Sequence, residues 1–313
     1  MLRLLARRLL LSIPLLLVVT AITFFLQSLI PGDPARSLLG PSATPQQYEA
    51  LRQALHLDQP VIVQYLNSIG GVLHGDLGRS IFTGEDVGQT LANRLPVSLS
   101  LIVGGTLVAL LIGILLGVLS ATRGRLLARF IDVFSLVGGA LPNFWVGLVL
   151  AAIFAVTLAL LPATGYVPFE ESPGDWARAL ILPVIALALS GIATIAKVVR
   201  DGVSTAIGQD FVRTLRAAGV PRRVLIWKHA LRNSSVSLVT VVGVIFVASL
   251  SGTILVENVF VLPGLGSLAV AATARQDIPV IQGVALAFTV ITIVVNLLVD
   301  VSYGLLNPKV RAR

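Results

Sequence analysis

Six stretches of this chain run for about the length of a membrane crossing without a single Asp, Glu, Lys or Arg, and no feature of the sequence constrains folding more. A helix needs roughly 20 apolar residues to cross the hydrocarbon core. The uncharged runs are Leu9–Gly32 (24 residues), Leu95–Thr122 (28), Val133–Phe169 (37), Ala179–Ala196 (18), Asn233–Val256 (24) and Ile278–Val299 (22). The first holds fifteen Leu, Ile, Val or Phe between Leu9 and Ile30. Each favours insertion by about 0.3–0.6 kcal/mol near the bilayer centre. The third run exceeds one span, so Pro142 is expected to kink or start a helix and Leu161-Pro162 to end it. The composition agrees: only 12% of residues are charged and the mean hydropathy is +0.92, against about a quarter charged in soluble domains. No cysteine is present, so disulfides and thiolate metal sites are excluded.

Two shorter uncharged runs are not expected to cross. Gln59–Gly75 carries Gln59, Gln64, Asn67 and Gly70-Gly71 and reads as a surface helix followed by a turn. Asn258–Ala274 is broken by Pro263, Gly264 and Gly266 and reads as re-entrant or interfacial. Arg3, Arg7 and Arg8 ahead of an apolar run also fit a signal peptide, but the run is longer than a signal core of about 7–15 residues. An uncleaved first helix is the expectation.

Basic residues set the orientation. With the N-terminus inside, inner segments hold 17 of the 23 Lys and Arg: Arg3, Arg7, Arg8, Arg123, Arg125, Arg129, the eight from Lys197 to Arg232, and Lys309, Arg311, Arg313. Outer segments keep six: Arg36, Arg52, Arg79, Arg94, Arg178 and Arg275. A net charge of +8 could suggest a nucleic-acid binder. Basic residues concentrated at cytoplasmic helix ends instead suit insertion and anionic lipid, so membrane lipid is the expected partner and nucleic acid is not.

The expected domains are a cytoplasmic N-terminus 1–8, a first span 9–30, an extracytoplasmic helical loop 31–94, a transmembrane core 95–306 with a cytoplasmic loop 201–235, and a cytoplasmic C-terminus 307–313. In the outer loop, Thr44-Pro45-Gln46-Gln47 has the form of a capping box with proline at the first helical position. Tyr48, Leu51 and Leu55 then share a face, and Val61, Tyr65, Ile69 and Leu73 mark a second amphipathic helix. Either a small helical cap lying on the membrane or a landing surface for an external partner fits this pattern.

In the inner loop, Phe211, Val212, Leu215 and Ala218 form one helical stripe, with Arg213 and Arg216 beside it. Gly219 stands where a helix ends in a left-handed residue, and Pro221 suits the start of the next helix. Val224, Leu225, Trp227, Ala230 and Leu231 make that second helix apolar over much of its surface. A helix–turn–helix docked on a partner and an amphipathic pair resting on lipid both fit.

An ordered set of motifs resembles the membrane-spanning permeases of the dipeptide/oligopeptide/nickel branch of ABC transporters. It comprises Arg7-Arg8, Ile30-Pro31-Gly32-Asp33-Pro34, Leu57-Asp58-Gln59-Pro60 with Gln64-Tyr65-Leu66, His74-Gly75-Asp76-Leu77-Gly78, Leu262-Pro263-Gly264-Leu265-Gly266 and Asn307-Pro308-Lys309-Val310-Arg311. Its most specific part is Asp210-Phe211-Val212-Arg213-Thr214-Leu215-Arg216-Ala217-Ala218-Gly219, continuing through Val220-Pro221 and followed by His229-Ala230-Leu231-Arg232-Asn233. This resembles the family's cytoplasmic EAA loop. Leu215 stands where the family usually has Ala, and Val236-Ser237 replaces a common Leu-Pro.

The resemblance implies an all-α membrane protein of six transmembrane helices with the type I ABC importer permease fold. Residues Asp210 to Pro221 would dock on a separate ATPase subunit. The implied partners are a second, related permease chain forming a heterodimer, two ATP-hydrolysing subunits and an extracytoplasmic solute-binding protein. The implied cargo is a peptide or peptide-like solute, with nickel chelates or glutathione as alternatives.

Other classes fare worse. The chain has no Gly-x4-Gly-Lys-[Ser/Thr] phosphate loop, no His-Glu-x-x-His and no Gly-x-Ser-Gly, so neither an enzymatic site nor a cofactor is expected. His56, His74 and His229 are scattered, which argues against a metal site. A secondary transporter usually places ionisable groups near the midplane. Asp300 is the nearest candidate, and its position near the cytoplasmic end of the last span favours a helix-end or interhelix role over ion coupling. A purely structural protein leaves the inner loop unexplained. Asn143, Thr157, Ser190, Thr194, Ser249 and Asn296 suit helix packing as well as a pathway. Gly113-x3-Gly117 is a helix-packing motif.

Overall fold

The computed structural model describes residues 2–30 and 32–306. Pro31 and the basic close 307–313 lie outside the described residues, as do the side chains of Arg3 and Arg125. The first uncharged run becomes α1 (Leu2–Ser28). Asp33 then caps α2 (Pro34–Leu39), its carboxylate accepting the Ala35 N–H at 2.8 Å. The expected capping box starts α3 (Pro45–Ala54): Thr44 Oγ1 accepts the Gln47 N–H and Gln47 Oε1 accepts the Thr44 N–H. α4 (Val61–Leu73) follows, as the Gln59–Gly75 pattern predicts.

Next come α5 (Val87–Thr122), α6 (Arg125–Ala140) and α7 (Asn143–Leu150), which continues as a π-helical segment Ala151–Thr157. α8 (Pro173–Ile207) is capped by Ser172, whose hydroxyl accepts the Asp175 N–H. α9 (Asp210–Ala217), α10 (Arg222–Val224), a π segment Leu225–Ala230 and α11 (Leu231–Asn233) build the inner loop. α12 (Ser235–Val259), α13 (Leu265–Arg275) and α14 (Ile278–Leu306) complete the chain.

Among the described residues, five helices are long and apolar enough to cross a membrane: Ala6–Ser28, Val87–Thr122, Pro173–Ile207, Ser235–Val259 and Ile278–Leu306. The third uncharged run is not one rod. It is a pair, Leu126–Ala140 and Asn143–Thr157, bent by 100°, which gives six crossings if the pair counts as one. Pro142 sets the break, since it has no N–H to donate and forces Leu141 out of the helical region, to φ −77°, ψ 126°. The helix also ends at Thr157, short of Leu161-Pro162, where the sequence placed it. The 258–274 run is broken at Pro263-Gly264 as expected, and α13 has only 11 residues.

The chain divides into two compact units. Within residues 99–262 and 295–306, α5 lies against α8 through Gly113 and Gly117. A Cβ added at Gly113 would sit 2.7 Å from the Ile195 side chain, and one at Gly117 2.6 Å from the Ala196 carbonyl oxygen. Ala109, Ala188, Ile195, Val199 and Val203 fill the core beside this contact.

Within residues 2–98 and 263–294, the core is built by Val87, Leu91, Leu265, Ala272, Val280 and Val284. Here polar side chains fix the irregular backbone. Ser98 Oγ accepts the buried Leu265 N–H at 2.8 Å. Asp277 accepts the Ser80 hydroxyl and, at 3.2 Å, the Ile81 N–H. Ser80 Oγ in turn accepts the N–H groups of Phe82 and Thr83. Asp33 ties α2 to α3 by accepting the Tyr48 hydroxyl and pairing with Arg52 at 3.7 Å.

Candidate functional site

α8 has 35 residues, about 50 Å of helix, whereas a hydrocarbon core is about 30 Å thick. Lys197, Arg200 and Asp201 mark where its uncharged face ends, and the last two turns carry the chain onward to α9. Two contacts brace this extension. Arg200 pairs with Asp132 on α6 and donates to the Ala128 carbonyl at 3.0 Å, while Lys197 lies 3.8 Å from the same carboxylate. On its other face Val203 and Ala206 are fully buried, with Ala230 of the π segment in the same core and Ile207, Ile226 and Leu231 packed on it.

The turn after α9 follows from Gly219. Its φ is +79°, the left-handed region the sequence led us to expect. The Val220 N–H reaches the Leu215 carbonyl at 3.1 Å and the Gly219 N–H reaches Arg216 at 3.1 Å, the paired bonds of a Schellman ending. Pro221 is the N-cap of α10, and its carbonyl accepts the Leu225 N–H at 3.0 Å. Arg222 Nη2 donates to the Thr122 carbonyl at 3.1 Å, fastening the second helix to the end of α5.

The expected stripe is split. Val212 is buried within the chain, Leu215 and Val220 are half-buried, and Phe211, Ala217 and Ala218 are exposed. Asp210, Arg213, Thr214, Arg216, Gly219 and Pro221 are also exposed, with Asp210 and Arg213 paired at 3.4 Å. The result is a stiffly supported protrusion that presents an aromatic ring and two guanidinium groups outward.

Several of the mild polar positions find partners within their own helices or on a neighbouring one. Thr157, Thr194 and Ser249 each donate to a carbonyl one turn back, and Ser190 donates to Asn143. Thr157 and Thr194 nevertheless lie exposed on their helices. Among the described residues no group of three His, Asp or Glu is placed to hold a metal ion. Sequence reading passed over the fully buried Glu257 near the end of α12, because runs defined by lack of charge stop one residue short of it. It passed over the Asp132–Arg200 brace for the same reason. The spacing of these two residues, 68 apart, carries no local signal.

Residues 109–312 match the family described as binding-protein-dependent transport system inner membrane component, and residues 1–102 match the N-terminal region of such membrane components. A permease protein of Brucella abortus, provisionally assigned to a peptide transport system, is 39% identical over 96% of each chain. A glutathione transport system permease protein of Salmonella typhimurium is 37% identical over 99% of each chain. An inward-facing crystal structure of the MetNI methionine ABC transporter shares the fold, with a TM-score of 0.58 and 15% identity over 70% of this chain and 97% of that one. The chain belongs to the family of binding-protein-dependent transport system inner membrane components, and it is a multi-pass permease subunit of ABC importer type.

Proposed function

We propose that this permease imports peptides or a peptide-like solute across the cytoplasmic membrane, with Asp210–Pro221 as the surface that receives a separate ATPase subunit. The observation that carries the reading is the braced protrusion: α8 is long enough to leave the membrane and is held by Arg200–Asp132, and it leads into α9, which exposes Phe211 and ends in the Gly219 turn. A push delivered to such a rod reaches the span it continues, because packed helices move as units. The chain has no phosphate-binding loop of its own, so ATP is bound and hydrolysed by two partner chains.

The basic-residue asymmetry supports an orientation with both termini cytoplasmic and 31–94 outside. A second, related permease forms the other half of the conduit, and an extracytoplasmic binding protein delivers the solute. The Brucella abortus relative supports peptide cargo. The Salmonella typhimurium relative supports glutathione, itself a short peptide, as the second reading.

Phe211→Asp tests the docking surface. Phe211 is exposed, so membrane insertion is expected to survive. An unpaired carboxylate in a partner's cleft costs several kcal/mol or is expelled. Uptake and co-purification of the ATPase chains should both be lost at matched protein level. Retention of both would defeat the docking reading.

A further inference from the structure

α4 is held at a depth that a cap resting on the membrane would not reach. The Tyr65 hydroxyl donates to the Leu17 carbonyl at 3.0 Å and lies 3.1 Å from Thr20 Oγ1. Its ring packs edge-on against Phe24 at 5.7 Å and beside Phe25 at 6.0 Å. Leu17 and Thr20 are the ninth and twelfth of the 24 residues in the first uncharged run. At 1.5 Å per residue, Thr20 lies about 12 Å along the helix from its end at Ser28. Thr20 is itself buried, its carbonyl taking a 3.0 Å bond from Gln282 Nε2 on α14. α4 is therefore pinned beside the middle of a span.

Beside the Tyr65 contact α4 turns an apolar surface outward: Ile62, Val63, Leu66 and Leu73 are all exposed. Beside them, Asn67 donates its amide to Gln59, and the His74 ring lies 2.8 Å from the Gly70 carbonyl. No charge occurs from Gln59 to Gly75. At the same level α1 exposes Leu15, Leu17, Val18 and Ile22, and only 11% of its most apolar 18-residue stretch is buried. The apolar face of α4 thus continues the lipid-facing surface of α1. Charge returns only beyond the two ends of the helix, at the exposed Asp58 and Asp76.

We propose that α4 is inserted among the acyl chains of the outer leaflet, with Ile62, Val63, Leu66 and Leu73 against lipid, and that it anchors the extracytoplasmic loop in the membrane. Assignment to the outer leaflet rests on the orientation proposed above; contact with lipid does not.

The test uses the whole importer in liposomes, with cysteine-free partner chains and bimane on single cysteines in this cysteine-less chain. Ile62→Cys and Leu66→Cys probe α4, and Glu49→Cys on the exposed part of α3 is the aqueous control. Phosphatidylcholine brominated on its acyl chains, present in both leaflets, should remove most of the emission at 62 and 66 and little at 49; iodide should do the reverse. A reversed chain would still be quenched by lipid at 62 and 66, so failure of the orientation would not mimic failure of insertion. Iodide quenching at 62 and 66 without lipid quenching would overturn the proposal. So would shielding from both quenchers that disappears when the binding protein or the second permease is omitted, because the cover would then be protein.

Discussion

Between residues 99 and 262 the chain holds itself together by bringing helix backbones close, whereas residues 32–98 and 263–294 hold irregular backbone in place with polar side chains. In the first region Gly113 and Gly117 leave no room for a Cβ against α8. Lipid offers no hydrophobic gain for helix association, so close van der Waals contact must supply it, and only small residues allow the approach. In the second region the chain turns repeatedly, and each turn frees N–H groups that need acceptors. Asp33, Ser80, Ser98 and Asp277 provide them. The lesson is that Asp33, Ser80, Ser98 and Asp277 serve turning backbone, whereas Gly113 and Gly117 serve the meeting of two regular helices.

The widest expected effect concerns sidedness. Ser42 and Ser204 are both exposed, and the chain has no cysteine. An impermeant thiol reagent on intact cells should label Ser42→Cys fully and Ser204→Cys not at all. The opposite pattern would reverse the orientation, and labelling of both would break the span count.

A large side chain at the tight helix contact comes next. Gly117→Leu should cost at least about 3 kcal/mol, the upper end for overpacking, and should sharply lower the yield of folded permease on size-exclusion in detergent. Gly139→Ala, where a Cβ meets nothing within 4 Å, should leave the yield unchanged. Equal tolerance at both positions would refute the packing half of the comparison.

The polar half is tested by Asp277→Ala. The change strands the Ile81 N–H and the buried Ser80 hydroxyl, a loss of about 1–3 kcal/mol. It should appear as faster proteolysis within residues 80–86, with the α5–α8 region still protected. Uniform destabilisation of the whole chain would show that the clamp is not a local device.

Gly219→Ala should have the smallest effect. Nothing lies within 4 Å of an added Cβ, but φ is +79°, so the cost is backbone strain of about 1 kcal/mol. Uptake should fall modestly, with ATPase retention slightly weakened, and much less than for Phe211→Asp. A null effect on both would mean that the turn is not held rigid during transport.

What local chemistry dictates was legible in the sequence. The long runs gave the spans, Thr44 and Gln47 gave the capping box, and Gly219-x-Pro221 gave the turn of the inner loop, because each signal is complete within a few neighbouring residues. Only the tertiary structure decided how those pieces were used. It gave the break expected at Pro142 its 100° bend, turned Val212 inward while leaving Phe211 outward, and set Tyr65 against the middle of α1. It also placed Glu257 in the interior and paired Arg200 with Asp132. Helical periodicity assigns a residue to a face; which neighbour covers that face depends on segments tens of residues away, and no local pattern encodes that choice.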